Sequence, residues 1–151
     1  MRVERLAGTD PVAVGLVAAM TAEMGELYEP GLPAGPSARP EELSPPGGGF
    51  VVLLDDERPV AGGGIKRLDG RACEIKRMYV VPDARGRGLG RALLDALEDL
   101  ARDLGYALAR LDTGARQPGA QRMYERAGYR PIADYNGNPY AAFWGEKALR
   151  A

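Results

Sequence analysis

Apolar positions along the chain fall into short runs and helical stripes, and the changes between them mark out the elements. Val3 to Leu6 reads as a short strand. Thr9-Asp10-Pro11 is a helix entrance, with a side-chain cap followed by proline in the first turn. Beyond it Val17, Met20, Met24 and Leu27 recur at spacings of three and four, which predicts a helix with one face packed on a sheet. Phe50 to Leu54 and Pro59 to Leu68 are apolar runs on either side of Asp55-Asp56-Glu57-Arg58, a hairpin signal. A third run, Ala72 to Val81, pairs with them through the turn at Asp69-Gly70-Arg71 and completes an antiparallel meander. The period then changes. Leu89, Ala92, Leu93, Ala96, Leu97, Leu100 and Leu104 form a helical stripe that Gly105 ends in the position of a left-handed cap. Ala107 to Leu111 predicts a strand, Pro118 to Ala127 a helix stopped by Gly128, and Tyr129 to Asp134 and Tyr140 to Lys147 two closing strands.

The predicted order is β-α-β-β-β-α-β-α-β-β. A strand-helix-strand unit needs a parallel crossover, whereas the meander is antiparallel, so the expected architecture is α/β (α+β): a mixed, mostly antiparallel sheet with helices on both faces. No repeat or linker divides the 151 residues, which reads as one domain. Glu29 to Gly49 stands apart, being dense in proline and glycine with a charged insert at Glu41-Glu42. Loops longer than about 12–15 residues are usually functional or mobile, so this stretch is either a substrate-facing lid or a plain connector.

Composition removes several chemistries. There is no histidine and a single cysteine, Cys73, which excludes disulfide frameworks, Cys/His zinc sites, Ser-His-Asp triads and Cys-His pairs; no metal is expected. Proton transfer then falls to a carboxylate, a tyrosine, a lysine, the N-terminal amine or water. With 20 basic against 21 acidic side chains the net charge is −1, which argues against a nucleic-acid partner. The apolar stretch Val12 to Ala22 is about half as long as a bilayer span requires. Glu4 and Asp10 offset Arg2 and Arg5 ahead of it, so no basic leader precedes it. The expectation is a cytoplasmic protein with no membrane partner.

The most informative segment is Met78-Tyr79-Val80-Val81-Pro82-Asp83-Ala84-Arg85-Gly86-Arg87-Gly88-Leu89-Gly90-Arg91, which joins a strand to a helix. Glycines at 86, 88 and 90 let a ligand approach the backbone, and the free N–H groups of the helix start point outward with the positive end of its dipole. Arg85, Arg87 and Arg91 add donors suited to phosphate. The spacing matches neither a dinucleotide fingerprint, because the sixth residue from Gly86 is Arg91, nor a P-loop, because no Gly-Lys-Ser/Thr follows.

What remains is Arg-x-x-Gly-x-Gly at Arg85, Gly88 and Gly90, directly after a strand ending in Val-Pro. It resembles the coenzyme A pyrophosphate loop of the GCN5-related N-acetyltransferase (GNAT) superfamily. Downstream, Ala120-Gln121-Arg122-Met123-Tyr124-Glu125-Arg126-Ala127-Gly128-Tyr129 is similar to that family's A-x-x-x-Y-x-x-x-G-[FY] helix and strand. The order of elements agrees from end to end. Leu111-Asp112-Thr113-Gly114-Ala115-Arg116-Gln117-Pro118 also resembles a bacterial subgroup of undefined substrate.

The resemblance implies a transferase that moves the acetyl group of acetyl-coenzyme A to a primary amine by direct attack in a ternary complex, with no metal. Met78, Tyr79 and Val80 would lie on a strand splayed from its parallel neighbour, with backbone groups free for the pantetheine arm. Arg85, Gly86, Arg87, Gly88, Leu89, Gly90 and Arg91 would hold the pyrophosphate, and Gln117 stands where many members carry a cofactor-contacting asparagine. Tyr124 takes the place of a phenol near the coenzyme sulfur; its alternative role is a core aromatic. Glu74, eleven positions before Arg85, takes the place of the general base in the histone-acetylating branch, against the reading of a solvated charge paired with Lys76. Strand alternation would put Glu74, Lys76, Met78 and Val80 on one face. Asp112 and Asp134, at or beyond strand ends, are candidates for recognising a cationic acceptor or for capping turns. Tyr135, Asn136, Asn138 and Tyr140 belong to a turn-rich stretch that borders the acceptor pocket in such proteins. Trp144 and Cys73 read as packing residues. The acceptor is expected to be a small-molecule amine. Oligomeric state stays open, a homodimer included, and the rival function is a non-catalytic coenzyme A-binding module.

Overall fold

In the computed structural model, which describes residues 1–27, 38–114 and 118–149, the elements follow the order that their patterns predict. They are β1 (Arg2–Leu6), α1 (Pro11–Leu27), β2 (Gly49–Asp55), β3 (Arg58–Arg67), β4 (Ala72–Val80), α2 (Leu89–Asp103), β5 (Leu108–Gly114), α3 (Pro118–Arg126), β6 (Arg130–Pro131) and β7 (Ala141–Ala148). The seven strands form one sheet in the order β1-β2-β3-β4-β5-β7-β6. Every neighbouring pair is antiparallel except β4 and β5, which the α2 crossover joins in parallel.

Local chemistry accounts for the helix ends. Asp10 accepts the Val12 N–H on its side chain at 2.9 Å, and Pro11 follows in the first turn, where no amide donor is needed. Gly105, at φ +92°, reverses the chain after α2, and the Tyr106 N–H closes back on the Ala101 carbonyl at 3.0 Å. Alternation along the strands then fills both faces. On one, Ala13, Leu16 and Met20 of α1 pack on Phe50, Val52 and Tyr79; on the other, Leu93, Leu94 and Leu97 of α2 and Tyr124 of α3 pack on Val51, Leu53, Ile65 and Ile75. Each fully buried leucine contributes about 1.5–3 kcal/mol.

Four details depart from the sequence expectations. The C-terminal part of the proline-rich stretch, residues 38–48, is neither lid nor loose connector. A short 3₁₀ turn at Pro40–Leu43 sinks Leu43 into the α1 layer, and the Gly8 N–H donates to the Leu43 carbonyl at 2.8 Å. Residues 28–37 lie outside the described residues. Strand β5 runs on to Gly114 because β7 keeps pairing with it, so Asp112 lies inside a strand and not at its end. The expected strand Tyr129 to Asp134 shrinks to Arg130–Pro131: Pro131 has no N–H to donate, and beyond the Ile132 N–H bond to Trp144 the side chain of Asp134 turns the chain by accepting the Asn136 and Gly137 amides.

The fourth departure concerns the face of β4. Arg77 adopts φ +63°, and a bulge sets both Arg77 and Met78 opposite Gly63. One extra residue reverses the alternation. Glu74 and Lys76 therefore share their face with Tyr79, on the α1 side, while Met78 and Val80 pack into the core beneath α2 and α3. Among the described residues no helix is long and apolar enough to cross a membrane.

Candidate active site

The parallel pair that the crossover creates is short. Strand β4 bonds β5 only where Ala72, Cys73 and Glu74 face Leu108, Ala109 and Arg110. Past that point β5 follows β7 while β4 follows β3 to its end, so 75–80 and 111–114 diverge. The backbone groups on the divergent edges have no ladder partner, and such groups are ready donors and acceptors for an extended ligand.

The glycine turn lies at the mouth of this slot. A 3₁₀ turn, Pro82–Ala84, leaves the end of β4, and Gly86 (φ +83°) and Gly88 (φ +76°) carry the chain into α2 in left-handed conformations. A Cβ at either glycine would meet nothing within 4 Å, so backbone conformation and not crowding demands glycine there. Gly90 differs: its Cβ would lie 3.3 Å from Met123 Sδ, and its absence lets α3 pack close to α2. No side chain caps the start of α2 and no acidic residue stands in its first turn, so its amide donors and dipole stay available to an anion.

The three arginines of this turn are held by carboxylates. Arg91 pairs with Asp95 at 3.0 Å and Arg87 with Asp55 at 3.1 Å. Arg85 donates to the Val80 carbonyl at 3.0 Å and to both oxygens of Glu23 at 2.8 Å, and it lies over the Tyr79 ring. Tyr79 in turn donates its hydroxyl to Glu23, which ties α1 to the turn. Exposed pairs of this kind are worth about 0–1 kcal/mol, little enough to yield to a phosphate.

Beneath the slot, on the α2 and α3 side, stands Tyr124. The ring is 7% exposed and meets Tyr129 edge-on at 6.0 Å. Its hydroxyl reaches Met78 Sδ at 3.6 Å, which sets the phenol against the divergent part of β4. Burial, with the Asp112 carboxylate as a lesser cause, pushes its pKa up to about 12, so it remains a protonated donor throughout the neutral range. Cys73 is fully buried in the same core and its thiol is likewise raised to about 12, chiefly by burial. It carries no thiolate near neutrality. Iodoacetamide should therefore leave native Cys73 unlabelled, and Cys73→Ala should keep the wild-type rate while costing about 1 kcal/mol of stability; loss of turnover with stability intact would give the thiol a chemical role.

On the opposite, α1-side face of the sheet lies a polar network. Glu74, 2% exposed, accepts the Tyr135 hydroxyl at 2.6 Å and the Asn136 amide at 3.0 Å, with Lys76 Nζ at 3.5 Å. The same Asn136 Nδ2 donates to Asp112 at 2.5 Å, and Asn138 Nδ2 adds a bond to that oxygen at 3.2 Å. Trp144 Nε1 donates to Asn136 Oδ1 at 3.0 Å, which fixes the amide's orientation and makes Trp144 more than the packing residue its sequence suggests. The Tyr140 N–H closes the turn on Asn138 Oδ1 at 3.0 Å. Arg110, paired with Glu146 at 2.7 Å, lies over the Tyr135 ring. Burial and then the Glu74 charge raise the Tyr135 phenol, so it stays a donor to Glu74.

The structure thus brings Glu74, Asp112, Tyr135 and Asn138 together on one face, and Met78 and Tyr124 on the other, with the slot between. Gln117 lies outside the described residues. Sequence reasoning placed Asn136 only within a turn-rich stretch and missed its position between two carboxylates; a side chain that bridges strands leaves no periodic trace. Among the described residues no cluster of three or more His, Cys, Asp or Glu could hold a metal ion.

Comparison with known proteins agrees with this geometry. Residues 17–129 match the model of the "Acetyltransferase (GNAT) family". The chain is 34% identical over 113 residues to an IAA acetyltransferase of Azospirillum brasilense, covering 72% of this chain and 73% of that protein. It is 36% identical over 95 residues to the uncharacterized N-acetyltransferase YjgM of Escherichia coli K12, which is 61% of this chain but only 56% of YjgM. A crystal structure of a candidate acyl-CoA N-acyltransferase from Klebsiella pneumoniae superposes with a TM-score of 0.77 at 30% identity, covering 99% of this chain and 97% of that one. The chain belongs to the acetyltransferase (GNAT) family.

Proposed function

We propose that the protein transfers the acetyl group of acetyl-coenzyme A to the primary amine of a small acceptor, by direct attack of the amine in a ternary complex. The observation that carries this reading is the divergence of β4 from β5, with an uncapped helix start at its mouth and a buried phenol on its floor. The residues fit the donor: the open space at Gly86 and Gly88 suits a pyrophosphate, and the edge at Met78, Tyr79 and Val80, which β5 leaves uncovered and where Arg85 takes the Val80 carbonyl, suits the amides of a pantetheine arm. When bound, acetyl-coenzyme A supplies an activated acyl carbonyl on a thiol leaving group. The similarity to an acyl-CoA N-acyltransferase structure supports the same donor.

Each group of the chain then has a task. Backbone N–H groups at Arg87 to Arg91, with the arginine side chains, bind the phosphates, and free backbone donors at 78–80 orient the carbonyl and take up its negative charge. Tyr124, neutral at working pH, donates its proton or a hydrogen bond to the departing sulfur. On the far face an alkylamine with pKa ~10.4 arrives mostly as ammonium and must lose a proton before it attacks. Glu74, held by Tyr135 and Asn136, is the base, directly or through a water, and Asp112 attracts the cation. The inert Cys73 fits direct transfer without an acyl-enzyme.

The decisive experiment is a thiol-release assay with acetyl-coenzyme A and a panel of amines. Amine-dependent release supports the proposal; tight coenzyme A binding with no turnover on any amine would leave a binding module. Glu74→Gln should lower the rate about 10²-fold at neutral pH and regain part of it as the pH approaches the amine's own pKa. An unaltered pH–rate profile would remove Glu74 as the base.

A further inference from the structure

Arg77 is the one described residue with a buried side-chain polar atom, its Nε, that has no hydrogen-bond partner. The described arginines around the candidate site, Arg85, Arg87, Arg91 and Arg110, each hold a carboxylate at 3.1 Å or closer. Arg77 holds none. A buried donor left without a partner is destabilising, more so when charged, and native structures rarely carry one without a reason. Desolvation pulls the Arg77 pKa below the usual arginine value, with Glu74 as the one charge opposing that shift.

The backbone at Arg77 adds an independent observation. It takes φ +63° in the bulge of β4, where a long side chain is disfavoured and glycine is the usual occupant. Such strain is found at sites where it re-aims a side chain. The bulge falls three residues after Glu74, at the start of the segment where β4 leaves β5. About 10 Å of strand separates Arg77 from the end of β4, beyond which lies the phosphate turn, so the phosphates have their own donors and leave Arg77 for something else.

We infer that Arg77 binds a carboxylate carried by the acceptor beside its amino group, which makes the acceptor an amino acid or a closely related zwitterion. The inference rests on the amine-acetylating function proposed above. Glu74 and Asp112 then face the ammonium end, and the guanidinium takes the carboxylate through its terminal N–H groups. A monoamine without a carboxylate would leave the guanidinium without a charge partner, so the site discriminates against it.

The test compares amino acids with their decarboxylated amines and their carboxamides as acceptors, for wild type, Arg77→Gln and Arg77→Lys, with calorimetry of amino acids on the coenzyme A-loaded protein alongside. Wild type should favour amino acids by about 10- to 100-fold in kcat/KM, through KM. Arg77→Gln should erase that preference, keep the decarboxylated amines at their wild-type rate and leave acetyl-coenzyme A affinity unchanged, while Arg77→Lys should restore part of it. Amines without a carboxylate serving as well as amino acids would overturn the inference and leave the transferase reading standing. Weaker acetyl-coenzyme A binding in Arg77→Gln would also overturn it, by assigning the guanidinium to the donor. Amino acids that bind wild type in an Arg77-dependent way but are never acetylated would overturn the transferase reading alone. Failure of wild type both to bind and to acetylate every amino acid would refute the Arg77 assignment.

Discussion

Gly88→Val is expected to weaken acetyl-coenzyme A binding by about 10²–10³-fold while the fold survives. Two effects act at one residue. Gly88 caps α2 at φ +76°, a conformation that costs a non-glycine residue about 1–2 kcal/mol and a β-branched one more. Escaping that strain swings the first amides of α2 away from their direction, and charge-assisted bonds to phosphate of about 1.5–3 kcal/mol each weaken with them. The valine side chain, meeting nothing of the protein within 4 Å of its Cβ, also stands in the space a phosphate would need. Strain of about 2–3 kcal/mol lowers the melting temperature of a chain this size by about 4–12 °C, so the variant is assayed at low temperature, where it is folded. Calorimetry with acetyl-coenzyme A reads the affinity, and Gly88→Ala should fall between wild type and valine. Wild-type affinity in folded Gly88→Val would place the pyrophosphate elsewhere.

The parts legible in the sequence were those with local causes. A capping aspartate before a proline, a leucine stripe closed by glycine and a glycine-rich turn each act within a few residues, and α1, α2 and the turn at 86–90 stand where those signals put them. The crossover rule placed the parallel pair β4 and β5 but not the first pair of strands, since β1 and β2 pair antiparallel although α1 lies between them. What stayed hidden was set by neighbours far along the chain. β5 extends to Gly114 because of what β7 offers, which sequence near Asp112 does not record. The Arg77 bulge is the sharper case: Glu-Ile-Lys-Arg-Met-Tyr-Val carries no glycine to advertise a positive φ, so simple alternation assigned Met78 and Val80 to the wrong face. The network at Glu74 depends on Asn136, 62 positions away, and hydrogen bonds of that range have no sequence signature.

The reversal of that face sharpens the expectation for Tyr124. Had Met78 shared a face with Glu74, the phenol against its sulfur would have stood on the acceptor side. With the bulge, Tyr124 and Glu74 lie on opposite sides of the slot, so the proposed proton donor and the proposed base flank it from opposite faces. A thiolate of ordinary pKa ~8.5 leaves more easily with a proton or hydrogen bond, and a phenol raised to about 12 keeps its proton to give. Tyr124→Phe deletes the hydroxyl and keeps the ring that packs on Tyr129. Turnover should fall about 10²–10⁴-fold under single-turnover conditions, with acetyl-coenzyme A affinity near wild type. The sign of the pH effect follows from the raised pKa. Stability contributed by the neutral phenol is complete below its unfolded value of ~10 and declines as the pH rises through about 12, so wild type should lose stability in that window while Tyr124→Phe loses less. Because the phenol stays protonated to about 12, the wild-type rate should show no alkaline limb from Tyr124 below pH ~10. A phenylalanine variant with wild-type single-turnover rates would make Tyr124 a packing aromatic, and the departing sulfur would then take its proton from solvent.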